Sequence, residues 1–315
     1  MTDVVAAFEQ TRGEDAEESD AVAAIRTLVG VLRATQTSTI VGLSDELRGA
    51  AEALRESLRE TSGMRVFVPV NAACEVFINY VTRIATDFPV GVAFDQVKTV
   101  LVQRGEIFAE RLVKSRDRLA SFGWKFVQDG SVIMVHGFSR AVLEVLRRAA
   151  AQGRNFDVIV TAAGGDGSKV ADRLAHFGVP TLLVADAAIG YFMERVDTVI
   201  LGAEGLTENG GLINHVGTLP LAIVARAHNK PVYVAAESFK FSRLFPLTQK
   251  ELSEAGGGRV DKRDAEETPS PAPKLEPLGS VTSDYTAPEY ITLMFTDLGV
   301  LTPSAVSDEL IKLYQ

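Results

Sequence analysis

Val132-Ile133-Met134-Val135-His136-Gly137-Phe138-Ser139-Arg140 sets the reading of the chain. A short, continuous apolar run predicts a strand covered on both faces, and the glycine after it predicts a turn. Ser139 and Arg140 then open a helix. A hydroxyl and a guanidinium at that point suit a phosphate or carboxylate ligand, or Ser139 simply caps the helix while Arg140 is solvated. The same alternation recurs downstream. Val158-Ile159-Val160, Thr181-Leu182-Leu183-Val184, Val199-Ile200-Leu201 and Val232-Tyr233-Val234 are further candidate strands. Helical stretches are expected over 139–151, 168–177, 187–195 and 217–228. Apolar strands alternating with helices predict an α/β fold with a parallel sheet covered on both faces, whose ligands gather at the carboxyl ends of the strands.

Upstream of Trp124 the period changes. Val22, Ile25, Leu28, Val29 and Leu32 form one helical stripe, and Leu43, Leu47, Ala51, Leu54 and Leu58 another. Phe77, Tyr80, Val81 and Ile84 extend the pattern behind Asn71, read as an N-cap, and Val97, Val100, Leu101, Phe108 and Leu112 predict a fourth helix. Two domains are expected: residues 1–125 helical, and residues 126–315 built on the parallel sheet. Glycine, proline and charge dominate 251–283, which is expected to be a mobile surface insertion. Order is expected to resume at Asp284 and end in a helix from Pro303 capped by Thr302.

Composition narrows the function. The chain has 315 residues, 46% of them hydrophobic, enough for substantial cores, and a net charge of −9 that argues against a nucleic-acid-binding surface. Cys74 is the only cysteine, and His136, His176, His215 and His228 lack metal-ligand spacing, so no metal site is expected. No apolar run reaches the length that crosses a bilayer and no basic-then-apolar leader opens the chain, so the expected location is the cytosol, away from membranes.

Two glycine-rich segments could carry ligand chemistry. Gly164-Gly165-Asp166-Gly167-Ser168-Lys169 lacks the spacing of either phosphate-binding glycine motif and reads as a strand-to-helix turn. By position the stronger segment is Gly202-Ala203-Glu204-Gly205-Leu206 with Glu208-Asn209-Gly210-Gly211 and Asn214-His215-Val216-Gly217-Thr218, where polar side chains and glycines crowd the end of a strand.

These residues, with Asp186 to Tyr191, Ala236 to Phe241, Leu244 to Leu247 and the run from Phe295 to Tyr314, resemble the alpha-subunit family of eukaryotic translation initiation factor 2B. That family shares its scaffold with methylthioribose-1-phosphate and ribose-1,5-bisphosphate isomerases. The resemblance implies an N-terminal helical domain followed by a Rossmann-like domain. It also implies a homodimer joined through the C-terminal domain, on which the beta, gamma, delta and epsilon subunits assemble into the GDP/GTP exchange factor for initiation factor 2. The helical domain would help sense the phosphorylated alpha subunit of initiation factor 2, with Arg111, Lys114, Arg116 and Arg118 as candidate phosphoserine donors.

In the isomerases a cysteine follows the first strand's histidine and an aspartate follows Gly-Ala. Here those positions are Gly137 and Glu204, and the Asn-Lys pair becomes Asn214-His215. Glycine transfers no proton, so no catalytic residue and no cofactor are expected. A sugar phosphate or nucleoside monophosphate remains the expected ligand, held by Ser139, Arg140, Glu204, Asn209, Asn214 and His215. The alternatives are an active aldose–ketose sugar-phosphate isomerase, countered by the missing thiol, and a dinucleotide-dependent oxidoreductase, countered by the missing glycine fingerprint.

Overall fold

The computed structural model describes residues 3–14, 19–61, 64–89, 92–244, 248–249, 251 and 281–314. Five helices come first: α1 (Val4–Glu14), α2 (Asp20–Ala34), α3 (Ile40–Thr61), α4 (Met64–Thr86) and α5 (Phe94–Gly123). Ser19 starts α2, its Oγ accepting a hydrogen bond from Val22 N. The stripes led by Val22 and Leu43 bury against Phe77, Val81, Val97 and Leu101 in one helical core.

Two expectations need correction here. α1 adds a fifth helix, with Phe8 buried in the same core. Asn71 does not cap α4 but lies inside it, donating from Nδ2 to Glu75 Oε1 at 3.2 Å. Buried Phe67, Val68 and Val70 extend the apolar face upstream, so the helix continues to gain packing on the N-terminal side of Asn71.

The α/β part follows in the order β1 (Ser131–Val135), α6 (Arg140–Ala151), β2 (Phe156–Thr161), α7 (Asp166–His176), β3 (Thr181–Val184), α8 (Ile189–Met193) and β4 (Thr198–Leu201). Then come β5 (Gly205–Thr207), β6 (Leu212–His215), α9 (Thr218–Ala227), β7 (Val232–Ala235), β8 (Phe241–Ser242), β9 (Ser283–Thr286), β10 (Leu293–Thr296), β11 (Gly299–Leu301) and α10 (Ala305–Tyr314).

Seven strands form the main sheet in the order β11-β10-β7-β4-β1-β2-β3, parallel except for the β10–β11 hairpin. Ile133 at its centre faces Val158 on one side and Thr198 on the other. Alternation divides β1 between two cores. Met134 packs with Val199, Leu201, Met193 and Leu221, while Ile133 and Val135 pack with Val142, Leu146 and Leu174 on the opposite face. The expectation of cover on both faces fails at β3, the edge strand, where Leu182 and Leu183 stay 43% and 45% exposed.

A second sheet, β8-β5-β6-β9, consists of strands of two to four residues that periodicity does not reveal. It joins the two parts of the chain. In β6, Leu212 enters the core beneath the main sheet and its neighbour Ile213 enters the helical core, where Tyr285 of β9 joins it. At the C-terminus α10 starts at Ala305 rather than Pro303. Thr302 makes a turn instead of a cap, its carbonyl accepting from Ala305 N and its hydroxyl bonding that of Ser304. The insertion expected at 251–283 lies, over 252–280, outside the described residues.

Candidate functional site

The chain order places β1 and β4 side by side while their outgoing connections run to opposite ends of the sheet, which opens a crevice at their carboxyl ends. Gly137, Phe138, Ser139 and Arg140 leave β1 there, and Ala203 and Glu204 leave β4. Together with Asn214 and His215 of β6 they line a cavity of about 310 Å³. Five of the six expected ligand residues therefore meet in one place.

The sixth does not. Asn209 turns away from the cavity, its Oδ1 accepting from Thr207 Oγ1 at 2.5 Å and Gly211 N at 3.1 Å while its Nδ2 donates to Tyr285 Oη at 2.7 Å. Its polar atoms are consumed in holding the β5–β6 turn to β9. The Gly164 to Lys169 segment also stays outside the cavity. It forms the turn into α7, where Gly167 packs so closely on Thr161 that a Cβ would lie 2.1 Å from the Thr161 carbonyl oxygen.

Each lining residue is held by identifiable contacts. Ser139 Oγ caps α6 by accepting from Val142 N at 3.3 Å, and it sits where a Cβ on Gly202 would be, 2.4 Å away. Glu204 is buried, its backbone N–H donating to Ile213 O and its Oε2 accepting from Ser283 Oγ at 2.5 Å. Asn214 Nδ2 donates to Thr218 Oγ1 at 3.0 Å, which ties the cavity wall to the first turn of α9. That turn is closed from outside by Asp284, whose Oδ2 accepts from Gly217 N at 2.8 Å and Leu219 N at 3.1 Å. Burial outweighs these donors and pushes the Asp284 carboxyl up to about 6.

His136 lies behind the cavity rather than in it. Its Nε2 is 2.9 Å from Val216 O and its Nδ1 2.6 Å from Thr161 Oγ1. A carbonyl only accepts, so the proton sits on Nε2 and the Thr161 hydroxyl donates to Nδ1. Burial lowers its pKa against the opposing hydrogen bond to Val216 O, and the ring serves as a structural bridge. His215 is its neighbour, 5.6 Å between ring centroids, and is the imidazole that lines the cavity.

The structure adds residues that sequence reasoning missed. The segment after β7, one more carboxyl end on the same rim, supplies Glu237, Phe239 and Lys240. The helical part supplies Arg12, Ser19 and Asp20 from the α1–α2 junction, and Val66 and Pro69 from α4. The first group was accessible to the strand-end rule. No local signal announces the second, because only packing brings α1 and α2 over the sheet. Arg12 Nε pairs with Asp20 Oδ1 at 2.7 Å and Lys240 Nζ with Glu237 Oε2 at 2.8 Å. Burial alone would raise the Glu237 carboxyl, but Lys240 and then Arg116 override it and hold it down at about 2.

The cavity wall carries three cations, Arg12, Arg140 and Lys240, and three carboxylates, Asp20, Glu204 and Glu237. It offers no thiol. Gly137 adopts φ +71°, and Cys74 is buried in the helical core, where burial drives its thiol up to about 12. Among the described residues no cluster of His, Cys, Asp or Glu could hold a metal ion, and no helix is long and apolar enough to cross a membrane.

Residues 13–303 match the model of the initiation factor 2 subunit family. The chain is 43% identical over 317 residues to translation initiation factor eIF2B subunit alpha of Dictyostelium discoideum, covering 99% of this chain and 96% of that one. It is 33% identical over 221 residues to ribose 1,5-bisphosphate isomerase of Thermococcus kodakarensis, covering 69% and 68%. The structure also superposes on the tetrameric eIF2B-beta2-delta2 complex from C. thermophilum, with TM-score 0.76 and 20% identity over 99% of this chain and 94% of that one. At that identity the likeness speaks for the fold, helical part and sheet together.

Proposed function

The chain belongs to the initiation factor 2 subunit family, and on that premise we propose that it is a non-catalytic regulatory subunit of a cytosolic translation initiation factor 2B complex. The observation that carries this reading is the similarity of nearly the whole chain, N-terminal helices included, to a subunit named alpha. The isomerase similarity is lower, 33% identity over about two thirds of the chain in one relative and 27% over 96% of it in another. Where the isomerase resemblance calls for a cysteine, Gly137 holds a left-handed backbone with no side chain, so proton transfer by the isomerase route has no donor.

In this reading the cavity keeps a binding role for a sugar phosphate or nucleoside monophosphate. Lys240 supplies the fixed positive charge that His215 does not. The chain pairs with a second copy through its C-terminal domain, where Leu182 and Leu183 of the edge strand β3 and the 80%-exposed Tyr191 of α8 are exposed apolar side chains. The exposed side chains of Arg111, Lys114 and Arg118 share one face of α5. They are the cations available to a phosphorylated serine of initiation factor 2, whereas Arg116 faces Glu237.

Two measurements test the assignment together. A tagged chain in cytosolic extract should recover the beta, gamma, delta and epsilon subunits, identified by mass spectrometry. The purified chain should leave ribose 1,5-bisphosphate and methylthioribose 1-phosphate unconverted. Turnover of either compound, or recovery of the chain without those subunits, overturns the assignment.

A further inference from the structure

We propose that Glu237 transmits occupancy of the cavity to α5: an anion that draws Lys240 toward itself releases the Glu237 carboxylate to close on Arg116. The idea rests on the sugar-phosphate reading of the cavity and concerns how that site is coupled to the rest of the molecule. Glu237 is 2% exposed and stands between two cations from different parts of the chain. Lys240, on the cavity wall, holds Oε2 at 2.8 Å. Arg116, on α5 and not part of the wall, reaches Oε1 from Nε at only 3.6 Å.

That second distance lies outside hydrogen-bonding range, and Arg116 Nε is buried without a hydrogen-bond acceptor among the described residues. A buried guanidinium N–H left in that state gains from any acceptor that moves closer. The carboxylate is thus shared unequally, with Lys240 Nζ in ion-pair contact with Oε2 at 2.8 Å and Arg116 Nε at 3.6 Å from Oε1, and neither Oε2 nor Arg116 Nε has a hydrogen-bond partner among the described residues. A phosphate entering the cavity competes for the Lys240 ammonium with more charge than a carboxylate brings. Once Lys240 turns to it, Glu237 needs a shift of about 1 Å or less to reach hydrogen-bonding distance from Arg116 Nε. α5 runs for 30 residues and carries Arg111, Lys114 and Arg118 on an exposed face turned away from Arg116, so the coupling ends on the helix that bears those cations. Coupling of this kind is reciprocal: whatever tightens Arg116 on Glu237 also frees Lys240 for ligand.

The test is calorimetric titration of the full chain with ribose 5-phosphate, for wild type, R116Q and R116K. Arg116 does not touch the cavity, so a side chain with no role in coupling leaves affinity unchanged. We expect R116Q to weaken binding about five- to tenfold, the low end of coupling between linked sites, and R116K to restore it to within about twofold. In wild type labelled with nitrogen-15 arginine, the Nε–Hε resonance of Arg116, assigned by its loss in R116K, should shift downfield on saturation. This second readout holds even if R116Q does not fold. Binding that is equal in all three proteins, or an Nε–Hε resonance that does not respond to saturating ligand, overturns the coupling and leaves the cavity reading intact. Absence of any binding at millimolar ribose 5-phosphate overturns the cavity reading and the coupling with it.

Discussion

Single residues decide what the cavity cannot do. Gly137 has φ +71°, a conformation that costs an L-side chain about 1–2 kcal/mol, and a Cβ there would stand 3.3 Å from His215 Cβ. Restoring the isomerase thiol as Gly137→Cys should therefore destabilise the protein by about 1–2 kcal/mol, read as a lower midpoint in urea unfolding. An unchanged midpoint would mean that the backbone at 137 is not committed to the left-handed region. The loss of chemistry at this position was legible in the sequence, because the residue type alone removes the proton donor. That the backbone at 137 lies in the left-handed region was not, since no pattern of residue types fixes φ there.

At the scale of elements, α9 depends on a residue far along the chain. Asp284 of β9 accepts from Gly217 N and Leu219 N and so satisfies two donors that a helix start leaves open. Burial holds its carboxyl near 6, above its unfolded value of 3.8. Between those pH values the folded protein binds more protons than the unfolded one, so stability falls as pH rises through the window. The stabilisation is complete below about 4 and gone above about 6. Relative to Asp284→Asn, the wild type should thus lose roughly 2 kcal/mol of unfolding free energy between pH 4 and pH 7. Matched denaturant titrations at the two pH values read this directly, and parallel pH profiles for the two proteins would refute it. The five parallel strands expected from apolar runs are all present, because each run is long enough to carry its own signal. The second sheet was invisible: strands of two to four residues hold no period, and their pairing is set by contacts as distant as Asn214 with Asp284.

For the whole molecule, the edge strand β3 leaves apolar side chains of the main sheet uncovered. Fully burying a side chain such as Leu or Ile is worth about 1.5–3 kcal/mol, so Leu182, Leu183 and Tyr191 together forgo a sizeable stabilisation in an isolated chain. Leu183→Asp with Tyr191→Asp should convert a two-copy species into single copies in size-exclusion chromatography with light scattering, with the circular dichroism spectrum unchanged. Retention of the two-copy mass would place the interface elsewhere. The sequence by itself determined the two kinds of architecture, the parallel strands, the absence of a thiol at position 137 and five of the residues at the cavity, because periodicity, residue type and strand-end position are properties of short segments. The tertiary structure alone decided that Asn209 serves a turn, that Arg12, Ser19 and Asp20 close the cavity from the helical side, and that Glu237 stands between Lys240 and Arg116. Those outcomes rest on contacts between segments 76 or more residues apart, which no local pattern of side chains encodes.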